Sequence, residues 1–201
     1  MIQLTYPIPG LGQPAGERTD DRVRPSGPYP MGLMVILATV TMLFAAFIAA
    51  LLMRRSASDW APIQLPGVLW FNTGVLLLSS VFAEGSRRAV VRSLRPIAVR
   101  QLTLALWFGV LFVIGQATAW AALIHQGVFL RTGPYSAFFY VLSVLHALHV
   151  TAGLGALGWT LGRLSHGGYT ADAHGGLSHA LIFWHFLGGT WLCLFATLLI
   201  L

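Results

Sequence analysis

The chain has 201 residues, of which 56% are apolar and only 9% charged, against about 25% charged residues in a soluble domain. Its twelve basic residues are all arginine, set against six acids for a net charge of +6. The scarcity of charge excludes a soluble globular enzyme. The arginines fall between apolar runs, where they anchor topology, so nucleic acid is not the partner expected.

Residues 1–30 hold six of the ten prolines, with Glu17, Asp20 and Asp21 among arginines. A secretory signal needs a basic start followed directly by an apolar core, and this stretch has neither. It reads as a mobile cytoplasmic arm ahead of a single transmembrane domain over 31–201. Five apolar runs follow, at 31–53, 66–83, 102–124, 135–161 and 177–201. Each approaches the roughly 20 residues needed to cross a bilayer, and none alternates with a period of two. The fold class is therefore all-α: a polytopic bundle of five membrane helices.

Arginine placement orients this bundle. Arg18, Arg22, Arg24, Arg87, Arg88, Arg92, Arg95, Arg100 and Arg163 fall on one side, and Arg54, Arg55 and Arg131 on the other. Nine against three puts the N-terminus in the cytoplasm and the C-terminus outside; in a bacterial cell, the location expected, this is the inner membrane, and in a mitochondrion the tail would face the matrix. Connections of roughly ten to eighteen residues leave no room for an extramembrane domain.

The fourth run carries His146 and His149 three residues apart, on one helix face. The fifth carries Phe183-Trp184-His185-Phe186 and, seven residues after Trp184, Trp191. Three chemistries fit buried imidazoles. His146 or His149 could pair with His185 to hold a haem, making the chain a small membrane cytochrome b. A metal site would need three or four ligands in one cluster, and no intramembrane carboxylate completes it. Third, neutral imidazoles can hydrogen-bond to a facing helix and join the bundle. The single cysteine, Cys193, forms no internal disulfide. No chain of intramembrane acids or lysines supports an autonomous pump or transporter. Gly158 and Gly162 have the spacing that lets helices approach closely.

Phe138-Phe-Tyr-Val-Leu-Ser-Val-Leu-His146-Ala-Leu-His149-Val-Thr-Ala-Gly153 is similar to the Gly-x-His-Gly-Leu-His-Val helix of subunit III of the haem–copper oxidases. Phe183-Trp184-His185-Phe186 with Trp191 resembles that family's Tyr-Trp-His-Phe-Val-Asp-Val-Val-Trp. Gln116-Ala-Thr-Ala-Trp120 resembles its Gln-Ala-x-Glu-Trp, and Asn72-Thr-Gly-Val-Leu-Leu-Leu-Ser-Ser80 its second-span pattern. The resemblance is to the five-helix bacterial form and runs from the first span to the C-terminus. Val40, Ala119, Ser178 and Gly188 stand where the family usually has carboxylates, so proton-linked roles of those acids are not carried over.

The resemblance implies a non-catalytic subunit with no cofactor of its own. Haem and copper would lie in the partner catalytic subunit I, with subunit II and other respiratory subunits as further neighbours. The chain would pack on subunit I, order phospholipid in a cleft and stabilise the complex during aerobic electron transport. His146, His149, Trp184, His185, Trp120 and Trp191 would join helices or contact lipid. A subunit-III-like accessory protein of a nitric oxide reductase is the alternative within the same class of complexes.

Overall fold

The computed structural model describes residues 31–56, 58, 60, 63–171 and 174–200. The arm expected over residues 1–30 lies outside them. Five helices follow one another: α1 (Met31–Arg54), α2 (Val68–Val91), α3 (Arg95–His125), α4 (Pro134–Ser165) and α5 (Gly175–Ile200). All five are long and apolar enough to cross a membrane.

Two expected boundaries move. The second helix runs eight residues past 83 because Glu84 takes Arg87 and Arg88 as partners one turn on, a spacing that supports a helix. The third begins at Arg95 rather than 102, since Pro96 occupies its first turn, where the missing N–H is harmless. The α2–α3 link thus shrinks to Arg92, Ser93 and Leu94. Ser93 adopts a left-handed φ of 58° so that Ser93 N–H reaches the Val90 carbonyl and Leu94 N–H the Ala89 carbonyl. Gly127 and Gly167, at φ of 76° and 80°, end α3 and α4 in the same left-handed way at no steric cost.

Helices α2, α3, α4 and α5 close a ring, each packing on the next and α5 returning to α2. α1 leans on the outside, touching α4 and α5 but neither α2 nor α3. The core of the ring is aromatic: Trp184, Trp191, Tyr135, Phe112 and Phe139 are fully buried. Gly109 on α3 and Gly153 on α4 make room for Trp184. A Cβ at position 109 would come within 2.7 Å of its ring, and one at 153 within 3.1 Å. The Gly158–Gly162 pair plays no such part, for an added Cβ there meets nothing within 4 Å.

Candidate functional site

The three buried or half-buried indoles among the expected residues share one chemistry. Trp184 Nε1–H donates to Ser79 Oγ on α2 at 3.2 Å, and Ser79 Oγ–H donates to the Ala105 carbonyl on α3 at 2.7 Å. Trp191 Nε1–H donates to Thr73 Oγ1 at 2.9 Å, and that hydroxyl donates to the Leu69 carbonyl at 2.8 Å. Trp120 Nε1–H donates to Ser143 Oγ on α4 at 3.0 Å, with Ser143 passing on to Tyr140 O at 3.3 Å. An indole only donates, whereas a hydroxyl both accepts and donates. A tryptophan facing a serine or threonine one helix away is therefore satisfied in hydrocarbon with nothing left over. Tyr135 OH on the Leu198 carbonyl, Asn72 Nδ2 on the Phe112 carbonyl and Ser86 Oγ on the Ala98 carbonyl add further ties across the ring.

His146 is fully buried, yet neither ring nitrogen has a hydrogen-bond partner among the described residues. The expected bond to a facing helix is replaced by packing. The imidazole stacks on Trp191 with centroids 5.2 Å apart and meets the edges of Phe44 and Phe112 at 6.1 and 6.0 Å. His149 is half-buried, 5.6 Å from Phe44. Its Nδ1–H donates to the Leu145 carbonyl of its own helix at 2.7 Å. Val40 is buried one turn from Phe44 on α1.

His185 goes elsewhere. It is exposed and lines an open groove with Glu84, Arg88 and Gln101. His146 is walled in by three aromatic rings, His149 packs on Phe44 of α1, and His185 looks into a groove lined by α2 and α3, so neither His146 nor His149 faces His185 across a space for a macrocycle. Among the described residues, no three or more of His, Cys, Asp and Glu come together to hold a metal ion. The small-membrane-cytochrome reading has no geometry behind it.

The structure thus gathers His146, Trp191 and, through Phe44, the half-buried His149 into one aromatic cluster, while Trp184 is buried separately, between Gly109, Gly153 and Ser79. Trp120 ties the α3–α4 seam next to the cluster, and His185 stands apart. Ser79, Thr73 and Ser143 are the residues that sequence reasoning undervalued. Their signal was faint: a hydroxyl in an apolar run more often bonds its own helix, as Thr39 and Thr41 do.

A family model described as "Cytochrome c oxidase subunit III" matches residues 27–201. The chain belongs to that family. Among its relatives, cytochrome c oxidase subunit 3 of Thermostichus vulcanus is 32% identical over 85% of this chain and 86% of the relative. The same subunit of Synechocystis sp. is 29% identical over 82% and 72%. A probable cytochrome c oxidase subunit 3 of Nocardia farcinica is 29% identical over 84% and 85%. As a subunit III, the chain is a multi-pass membrane protein of the respiratory chain and a non-catalytic, accessory component of an oxidoreductase complex. The buried polar groups fit that role. Ser79, Asn72 and Ser86 of α2 bond α3, Trp184 and Trp191 of α5 bond α2, and Trp120 of α3 bonds α4.

Proposed function

We propose that this chain is a five-helix subunit III that covers part of the haem–copper catalytic subunit I, orders phospholipid beside it and keeps the assembly intact. The observation that carries this reading is the division of labour within the chain: polar side chains turn inward to tie α2–α5, while the outer face is left apolar. Met34, Val35, Ile36, Met42 and Leu43 of α1 are all exposed, a surface suited to lipid or another membrane subunit.

His146, Trp184, Trp191 and Trp120 act as helix-joining residues in this reading, and His149 holds α1 through Phe44. A groove of roughly 460 Å3 between α1, α4 and α5 offers a place for lipid. Leu33, Ile36 and Phe183 give it an apolar wall, and Arg163 and His179 stand in it for a headgroup.

Orientation follows from the arginines. Arg87, Arg88, Arg92, Arg95, Arg100 and Arg163 gather where α2 and α4 end and α3 begins, whereas Arg54 and Arg131 belong to the opposite end. The positive-inside rule then supports a cytoplasmic N-terminus, with residues 1–30 as an arm on the transmembrane unit, in a bacterial inner membrane.

Purification of the native complex in mild detergent tests the reading. The chain is expected to co-purify with a haem–copper subunit, and the preparation to consume oxygen. Nitric oxide turnover without oxygen uptake would move it to the nitric oxide reductase class, and recovery of the chain without a haem-bearing partner would sink the proposal.

A further inference from the structure

Five of the six buried side-chain nitrogens and oxygens that lack a hydrogen-bond partner among the described residues belong to Asn72, Gln116 and His146. Gln116 and His146 contribute both of their polar atoms, and Asn72 its Oδ1. All three side chains are buried. Such atoms are few in native proteins, because a buried polar group without a partner bears the full cost of leaving water. Three of these residues on three neighbouring helices call for a common partner.

The α3–α4 register brings two of them together. Trp120 of α3 bonds Ser143 of α4, and a Cβ on Gly109 would come within 2.6 Å of Leu154. The helices are antiparallel, and Gln116 is seven residues on from Gly109 as Ala147 is seven back from Leu154. Gln116 is therefore level with Ala147 and its neighbour His146. Side-chain direction agrees. Gln116 shares a face of α3 with Phe112 and Trp120, one turn to either side. Phe112 meets the His146 ring at 6.0 Å, and Trp120 reaches Ser143, one turn from His146. Ala119 and Ala147 are buried beside them and bring only methyl groups. From α2, Asn72 donates Nδ2–H to the Phe112 carbonyl at 3.0 Å, and its Oδ1 lies against Gly115, where a Cβ would collide with it.

We infer that this layer is a binding site for one water molecule, which bridges Gln116 of α3 to His146 of α4. Donors and acceptors match. A neutral imidazole has one N–H and one acceptor nitrogen, and a carboxamide has both donors and an acceptor. The water oxygen accepts from Gln116 Nε2–H, one O–H donates to the acceptor nitrogen of His146, and the other turns to α2, toward Asn72 Oδ1. Three partners are the usual number for a buried water, and a bridged bond is nearly as favourable in enthalpy as a direct one. A cation would bring an uncompensated charge into the bilayer among neutral groups, and an apolar gas would leave all of these atoms unpaired. Phe112 and Trp120 flank Gln116, and Trp120 has already given its N–H to Ser143. Neither side chain extends the hydrogen-bonded path, so the water is a bridge and not a link in a proton-conducting file. This site goes beyond the accessory-subunit reading and does not depend on which complex the chain joins.

Magic-angle-spinning NMR of the full chain in phosphatidylglycerol vesicles, with nitrogen-labelled histidine and glutamine, tests the site. His146→Phe assigns the His146 signals by their loss; its larger ring takes the water's place, so thermal stability does not report on the site. In the parent, magnetisation is expected to pass from water protons to the His146 ring nitrogens, and the acceptor nitrogen to lie upfield of that of an unbonded imidazole. Gln116→Met keeps the length of the side chain and removes one partner of the water. It should abolish both effects while the His149 signals stay in place, which shows that the helix is still folded. A parent with no transfer from water and an unbonded acceptor nitrogen would mean a dry layer and overturn the proposal. So would a direct contact between Gln116 carboxamide protons and the His146 ring, or transfer that persists in Gln116→Met. Co-purification with a haem–copper subunit tests the accessory-subunit reading separately, and its failure would leave the NMR result to decide the water site.

Discussion

The ring of α2–α5 is tied by side-chain hydrogen bonds running from indole to hydroxyl to carbonyl, whereas α1 is held mainly by Phe44 against two imidazoles and by a few aliphatic neighbours. Only Val40, Phe44 and Leu51 of α1 are buried, while α4 buries residues along its whole length from Tyr135 to Leu164. In lipid there is no hydrophobic gain in bringing two apolar helices together. What distinguishes the regions is therefore packing density and satisfied polar pairs, and the ring has both. α1 has mostly shape, so it is the helix whose place depends most on what surrounds the chain.

The largest effect should come from Trp184→Ala. It removes a side chain clasped by Gly109 and Gly153 and the indole N–H that Ser79 accepts, so a loss of about 3–5 kcal/mol is expected. A lower melting temperature in detergent and loss of the chain from the complex would register it. A Trp184→Ala chain as stable as the parent would break the comparison outright.

Phe44→Ala should act next, and locally. A spin label at exposed Met42 on α1 is expected to gain mobility, while one at exposed Trp107 on α3 stays unchanged. Loosening at both positions would mean that α1 is as integral as the ring.

Smaller is the cost of removing one indole bond. Trp191→Phe keeps the aromatic stack on His146 and loses the Thr73 contact, for about 0.6 kcal/mol on the average of membrane hydrogen bonds. His146→Phe separates shape from polarity at the same spot. With no hydrogen bond to a protein group to lose, it should be neutral or stabilising, and a large loss of thermal stability would show that the imidazole has a polar partner in the chain. The least effect belongs to Thr39→Ala on α1, whose hydroxyl bonds only the Val35 carbonyl of its own helix. A change within about 0.5 kcal/mol is expected for such an exposed position.

Much of this arrangement was legible in the sequence. Five helices follow from run length, and the shared face of Trp184 and Trp191 from their spacing of seven. The burial of His146 follows from its place in mid-run. The hydroxyl partners were not legible, because Ser79 lies 105 residues from Trp184 and Thr73 lies 118 from Trp191, and no local pattern marks so distant a pair. The α2–α3 turn was misjudged because Glu84 and its arginines look like an interfacial loop until their helical pairing is seen. The two histidine classes were also merged by sequence. His185 follows Trp184 directly, and one step along a helix turns a side chain by about 100°, out of the core and into the groove.

One join in the molecule spans a long stretch of chain. Arg95, at the start of α3, donates Nε–H to the Leu164 carbonyl at 3.1 Å and also bonds the Ser165 carbonyl, closing the end of α4. These partners are 69 and 70 residues apart. During synthesis the guanidinium therefore leaves the ribosome well before the carbonyls it will cap, and the α2–α3 hairpin enters the membrane with that clasp still open. It can close only once the end of the fourth helix has come back beside the start of the third, so the bond is available only to a chain in which α3 and α4 run in opposite directions.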